Sequence, residues 1–291
     1  MKTTSEQSDT AFSQPLIAKA QQTITSLPPI LIAIAAISLF LTVTVGGALF
    51  FFPEVIQPRW VWPLKPYNTR FLGAIYLTAS VGFTSLLASR GGGLVRLIVP
   101  MFFVFTTDAL MVSCLQLQQF EVKRRITDIW FWLYLVDCVG ATYYLGYFRH
   151  SFSGLRRPPR VWSGILGMQA GILGAYGLSL LFFPAMTGRG WLWPLDVFHS
   201  QLYSAIFLAG AVGAAVLSRR ATASDLRALG VIQAVFSSLV LIGVWIVDRE
   251  VQGIDWRMVV SWAWVGAIAL LGITGLGLIQ QSQKLKNSSW T

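Results

Sequence analysis

The chain is poor in charge: only 12% of its 291 residues are Asp, Glu, Lys or Arg. Soluble domains carry about 25%, so a water-soluble globular domain is excluded. Chemistry-bearing residues are equally sparse, with 2 cysteines and 2 histidines. Cys114 and Cys138 stand in separate apolar segments and form neither a Cys-x-x-Cys pair nor a disulfide framework, so they read as buried free thiols. His150 and His199 fall on opposite membrane sides and cannot together ligate a haem or a metal. There is no His-Glu-x-x-His, Walker A or Gly-x-Ser-x-Gly motif. Gly91-Gly92-Gly93 reads as a tight turn rather than a phosphate cradle. No metal and no cofactor is expected. The net charge is +10, yet no soluble domain exists to carry a basic groove, which excludes a nucleic-acid partner.

What the chain does have is apolar length, with 55% hydrophobic residues and a mean hydropathy of +0.62. A span needs roughly 20 apolar residues. Candidate spans run over Pro29–Phe52, Phe71–Ser89, Leu94–Leu117 and Ile129–Phe148, then Trp162–Phe183, Gln201–Ser218, Leu229–Val247 and Met258–Gln280. Backbone polar groups in hydrocarbon must be satisfied internally, so these segments read as helices. The first is longer than the apolar part of a signal peptide and reads as retained. Before it lies a polar arm in which Leu16, Ile17, Ala20, Ile24 and Leu27 recur at helical spacing, the pattern of a surface helix or of a frayed terminus.

One motif occurs twice. Phe51-Phe52-Pro53 followed by Trp60-Val61-Trp62-Pro63-Leu64 returns as Phe182-Phe183-Pro184 and Trp191-Leu192-Trp193-Pro194-Leu195, displaced by 131 residues without a gap. Pro28/Pro159, Gly46/Gly177 and Leu49/Leu180 keep the same offset. The expectation is therefore an all-α integral membrane protein, with eight transmembrane helices arranged as two tandem parallel four-helix repeats. The divisions are a cytoplasmic arm 1–28, a first repeat 29–148, a linker 149–161, a second repeat 162–280 and a tail 281–291. Even-numbered spans put both termini on one side. That side carries the larger share of the 22 basic residues, including Arg149, Arg156, Arg157, Arg219 and Arg220, although Lys123-Arg124-Arg125 opposes it. The positive-inside rule then places both termini in the cytoplasm, in the plasma (cell inner) membrane.

Within the fifth span, Gly164, Gly167, Gly171, Gly174 and Gly177 form a small-residue stripe suited to close helix packing, or to a hinge or dimer face. The tryptophans Trp60, Trp62, Trp191 and Trp193 are candidate outer-face ligand or interface residues. They suit either an aromatic belt at the headgroups or a cleft holding an apolar ligand between the copies. Trp130, Trp132, Trp245 and Trp256 fall near the same side.

Two carboxylates, Asp108 and Asp137, sit well inside predicted spans at matching depth on sequential helices. Intramembrane acids point by default to ion or proton pathways, and two in one low-dielectric pocket would share a proton. The competing reading is a structural hydrogen bond to Thr106, Thr107 or Tyr134. The repeat sets Asp108 near Val240 and Asp137 near Ala263 or Trp264, so the second copy lacks the acids.

Two functions follow. A carrier of a small molecule or ion is favoured by the duplicated bundle and the acids. A non-catalytic scaffold, assembly factor or lipid-binding subunit, with a membrane-protein partner, is favoured by the thin polar lining of the second half. An enzyme on a lipid-soluble substrate ranks third, because the acids lie too deep for a headgroup. In every case the lipid bilayer is the surrounding partner.

Overall fold

The computed structural model describes residues 27–89, 93–121, 124–148 and 157–287. Most of the N-terminal arm, Gly91, Gly92, Lys123, His150 and most of the linker lie outside the described residues. Within them the chain is all-helical, with no strand. Eight long helices follow in order: α1 Pro29–Phe51, α2 Pro66–Ala88, α3 Val95–Leu115, α4 Arg125–Phe148, α5 Arg160–Phe182, α6 Val197–Arg219, α7 Ala223–Val251 and α8 Val259–Asn287. One-turn helices, Pro53–Ile56 and Pro184–Thr187, follow α1 and α5.

Seven of these helices are long and apolar enough to cross a membrane, which makes this a multi-span membrane protein. The eighth expected span, α4, is not among them. Arg125, Asp128, Asp137 and its tyrosines lower its hydropathy. Several helices, α2, α4, α6 and α7 most clearly, begin earlier than the apolar runs suggest. Pro66 opens α2, a first-turn position where the missing N–H costs nothing. The Asp196 carboxylate accepts from the His199 N–H at 2.8 Å and starts α6. Thr222 and Asp225 cap α7 reciprocally, each side chain accepting from the other's backbone N–H.

The stretch Pro29–Ala88 of the first half and Arg160–Arg219 of the second share their element boundaries at the constant 131-residue offset. The joints share backbone angles as well: φ −129° and ψ 53° at Phe52, against φ −126° and ψ 47° at Phe183. Gly46 and Gly177 do one job. A Cβ on Gly46 would come within 2.8 Å of the Tyr76 side chain, and one on Gly177 within 2.8 Å of Leu208, so each lets its helix close on the next. The rest of the α5 stripe does not pack. Gly164, Gly167 and Gly171 face open space, and Gly174 makes only an ordinary contact with Ala211.

The helices pair as α1 with α2, α3 with α4, α5 with α6, and α7 with α8. Across the halves, α3 packs along α6 and α7 along α2, whereas α2 meets α3, and α6 meets α7, only slightly. The halves are thus interleaved: each half's second hairpin leans on the other's first. This leaves α2, α3, α6 and α7 central, and α1, α5 and α8 much less buried. The core has two layers. An aromatic layer at the tryptophan-loop end includes Trp62, Tyr203 and Phe71, and an aliphatic layer at the other end includes Leu86, Leu97, Leu217 and Leu229.

Candidate functional site

Both tryptophan loops lie at the same end of the bundle and are enclosed by it. Trp60 is 7% exposed, Trp62 2%, Trp191 4% and Trp193 3%. Trp130 is buried with them, whereas Trp132, Trp245, Trp256 and Trp262 are exposed. The reason is cross-packing. Trp60 and Trp62 stand edge-on at 5.5 Å and both meet Trp130, while Trp191 and Trp193 stand edge-on at 5.5 Å and both meet Trp264.

The tryptophans are fastened across the halves. The Trp62 indole N–H donates to His199 Nε2 at 3.1 Å, and the Trp193 indole N–H donates to Asn68 Oδ1 at 2.8 Å. Asn68 and His199 are themselves 131 residues apart, so each loop is held by the matching position of the other half. The Asp196 carboxylate lies 2.7 Å from His199 Nδ1, which leaves Nδ1 carrying the proton and Nε2 free to accept. Burial opposes ionisation of Asp196, but the hydrogen bonds from His199, with the charge of Lys65, outweigh it and hold the carboxyl below its ordinary value. Trp60 and Trp191, again equivalent by offset, keep buried indole N–H groups without a partner.

Between the aromatic and aliphatic layers lie two cavities. The larger, about 110 Å³, is bounded by α1, α2, α3 and α4, with Ile206, Ala209 and Ile232 from the second half. The smaller, about 40 Å³, lies among α5, α6, α7 and α8, with Thr78 and Met101 from the first. Their walls correspond at the 131-residue offset: Thr42 with Leu173, Tyr76 with Phe207, Ala79 with Gly210, Ile98 with Leu229, Phe102 with Gln233, and Phe105 with Phe236. Thr78, Met101, Ile206 and Ile232 line both cavities and form the wall between them.

The larger cavity is mostly apolar, with a polar corner. The Tyr76 and Tyr134 hydroxyls meet at 3.2 Å, and the buried Ser38 hydroxyl has no partner. Asp137 lines the cavity, is only 8% exposed, and makes no hydrogen bond or ion pair among the described residues. In the smaller cavity Leu271 stands where Asp137 stands in the larger, three residues beyond the gap-free offset, as Trp264 is relative to Trp130. That shift corrects the expected match of Asp137 to Ala263 or Trp264. The smaller cavity's polar feature is Gln233, whose amide is buried without a partner.

Asp108 does not line either cavity. It faces α6, where the Ser204 hydroxyl donates to it at 2.8 Å. The acids are level along the bundle, because their neighbours Thr107 and Cys138 touch at 3.3 Å. They nonetheless serve different surroundings: Asp108 ties α3 to α6, and Asp137 opens into the cavity. No shared carboxylate pocket forms.

At the end away from the tryptophans, Arg96 of α3 forms a buried ion pair with Asp225 at the start of α7. Asp225 is fully buried and also accepts from the Thr222 N–H. Among the described residues no cluster of His, Cys, Asp and Glu is able to hold a metal. Comparison with known protein families, characterised proteins and solved structures found no match.

Proposed function

We propose that the protein is a carrier of small molecules, built as a tandem duplication of a four-helix unit, with its site near the middle of the bilayer. The observation that carries this reading is the pair of offset-related cavities that share a wall where the halves interleave. Carriers built from repeats place their sites at that interface, and same-sense repeats are related by an axis along the membrane normal. In this reading α4 is the eighth span, since its 24 residues cover about 36 Å against a hydrocarbon core of about 30 Å. The tryptophan loops then face outward and both termini lie in the cytoplasm, in keeping with the basic residues at that end.

Each end of the cavities has its own closure: the Trp62–His199 and Trp193–Asn68 bonds on one side, and the Arg96–Asp225 pair on the other. Alternating access would need each to open in turn. Only Asp137 of the two acids belongs to the site, and Asp108 holds helices together.

The test is uptake of a panel of small labelled solutes into vesicles containing the purified protein. Saturable uptake above protein-free vesicles supports the carrier. Its absence for every solute, under imposed ion gradients of both signs, removes it. The second reading is a scaffold or lipid-binding subunit, and one observation favours it. A groove of about 460 Å³ between α1 and α4, lined by Tyr143, Tyr144 and Tyr147, lies outside the bundle core. Co-purification of a stoichiometric lipid or membrane partner, with no solute uptake, would select that reading.

A further inference from the structure

We propose that the larger cavity binds a small monovalent organic cation, with Asp137 as its counter-charge. The inference rests on the carrier reading for its place in a transport cycle, but its own content is the chemistry of the ligand. Three observations carry it. First, Asp137 is more than nine-tenths buried, lines the cavity and has no partner among the described residues. Asp108 by contrast is satisfied by Ser204, and the other fully buried acid, Asp225, by Arg96 and its own helix cap. A buried carboxylate without a counter-charge is costly, and no Lys or Arg lines this cavity.

Second, the remaining wall is what a weakly hydrated cation prefers. Tyr76, Phe83, Phe102, Phe105 and Tyr134 surround the space, and aromatic faces attract cations through the ring quadrupole. Several of these rings are braced by one another: Phe83 stands edge-on to Phe102 at 5.1 Å, and Phe105 lies 6.5 Å from Tyr134. A strongly hydrated metal ion would need a shell of free oxygens, but the threonine hydroxyls of this wall bond to their own helices and the two tyrosine hydroxyls to each other.

Third, size limits the guest. The cavity is about 110 Å³, and a cavity of about 150 Å³ accommodates benzene. The guest is therefore a compact cation of about four to five heavy atoms by that scale. The smaller cavity has Leu271 in place of the acid and Gln233 in place of Phe102, so cation binding belongs to the first cavity alone.

The probe is radiolabelled tetramethylammonium, whose charge is independent of pH, bound at equilibrium to purified full-length protein in nanodiscs. The neutral competitor of like size and shape is tert-butanol. Saturable binding that tert-butanol displaces at least about tenfold less well than unlabelled tetramethylammonium supports the proposal. Asp137→Asn should weaken binding at least about tenfold, and Asp108→Asn should leave it within about twofold. Absence of binding to the wild-type protein overturns the proposal, as does displacement by tert-butanol as readily as by the cation. The comparison of the two probes needs no variant, so a failure of Asp137→Asn to fold does not rescue the idea. Cation binding without vesicle uptake would leave the site standing and remove the carrier, while uptake of neutral solutes without cation binding would do the reverse.

Discussion

Breaking one reciprocal tryptophan bond should cost stability in a way that only the partner across the halves can modify. The Trp62 indole N–H has His199 Nε2 as its acceptor, at 3.1 Å, and Trp62 is 2% exposed. Replacing His199 by Leu leaves that indole donor buried and unpaired, a cost of about 1–3 kcal/mol. Trp62→Phe removes the donor and part of the ring, and the smaller side chain leaves a void, so about 2–4 kcal/mol is expected. Once either partner is gone the bond cannot be lost again. The double variant should therefore be less destabilised than the sum of the singles by about 1 kcal/mol. Unfolding titrations in mixed micelles, monitored by tryptophan fluorescence, measure all four corners of the cycle. Additivity within about 0.3 kcal/mol would mean that the bond contributes nothing and would refute this account of how the halves are fastened. The same cycle on Trp193 and Asn68 should give a coupling of the same sign, because that bond occupies the matching position.

Other perturbations test separate parts of the structure. Gly46→Ala should cost about 1–3 kcal/mol, since its Cβ would press on Tyr76 and the Leu77 backbone, while Gly47→Ala, which faces open space, should be near neutral in the same unfolding assay. Arg96→Met should destabilise by about 3–5 kcal/mol by leaving Asp225 buried and charged without its cation, and adding Asp225→Asn should recover much of the loss. Asp196 is held below its ordinary value of 3.8, so its contribution is present above that pH and is lost as pH falls through the lowered value. Asp196→Asn should therefore flatten the acid limb of a pH–stability curve measured between pH ~6 and ~2, and an unchanged acid limb would show that Asp196 contributes nothing.

The broad architecture was legible because hydrophobic length and the offset motif are local signals. Seven spans, the helical class and the shared loop conformation follow from runs such as Pro29–Phe51 and from the repeated Trp-x-Trp-Pro-Leu. The facing of side chains was not legible. The hydrocarbon face and the protein face of a span are both apolar, so periodicity hardly distinguishes them. The paired tryptophans therefore suited a headgroup belt as well as a cleft between the copies, and Asp108 and Asp137 suited a shared pocket as well as separate structural hydrogen bonds. Interleaving sets the facing: with α3 along α6 and α7 along α2, the loops of one half are covered by the helix starts of the other. A signal for this was present in Asn68 and His199, polar residues at the repeat offset just after the repeated loop. The glycine stripe misled for a similar reason. Spacing marks a helix face, but α5 turns Leu166, Gly177 and Leu180 into the bundle, and of the stripe only Gly174 and Gly177 reach α6.

The account stands on the cavities being the place where a solute is held during transport. Ala79 lines the larger cavity on α2 and is only half-buried, so Ala79→Leu extends into the space without touching either closure. The decisive measurement is the initial rate of labelled tetramethylammonium uptake into vesicles carrying the wild-type or the Ala79→Leu protein, at matched protein content and with unfolding midpoints recorded for both. The account predicts saturable wild-type uptake and a loss of at least about tenfold in the folded variant, because a cavity of this size has no room for both the new side chain and the guest. Undiminished uptake by Ala79→Leu, or no uptake by the wild-type protein, would contradict it.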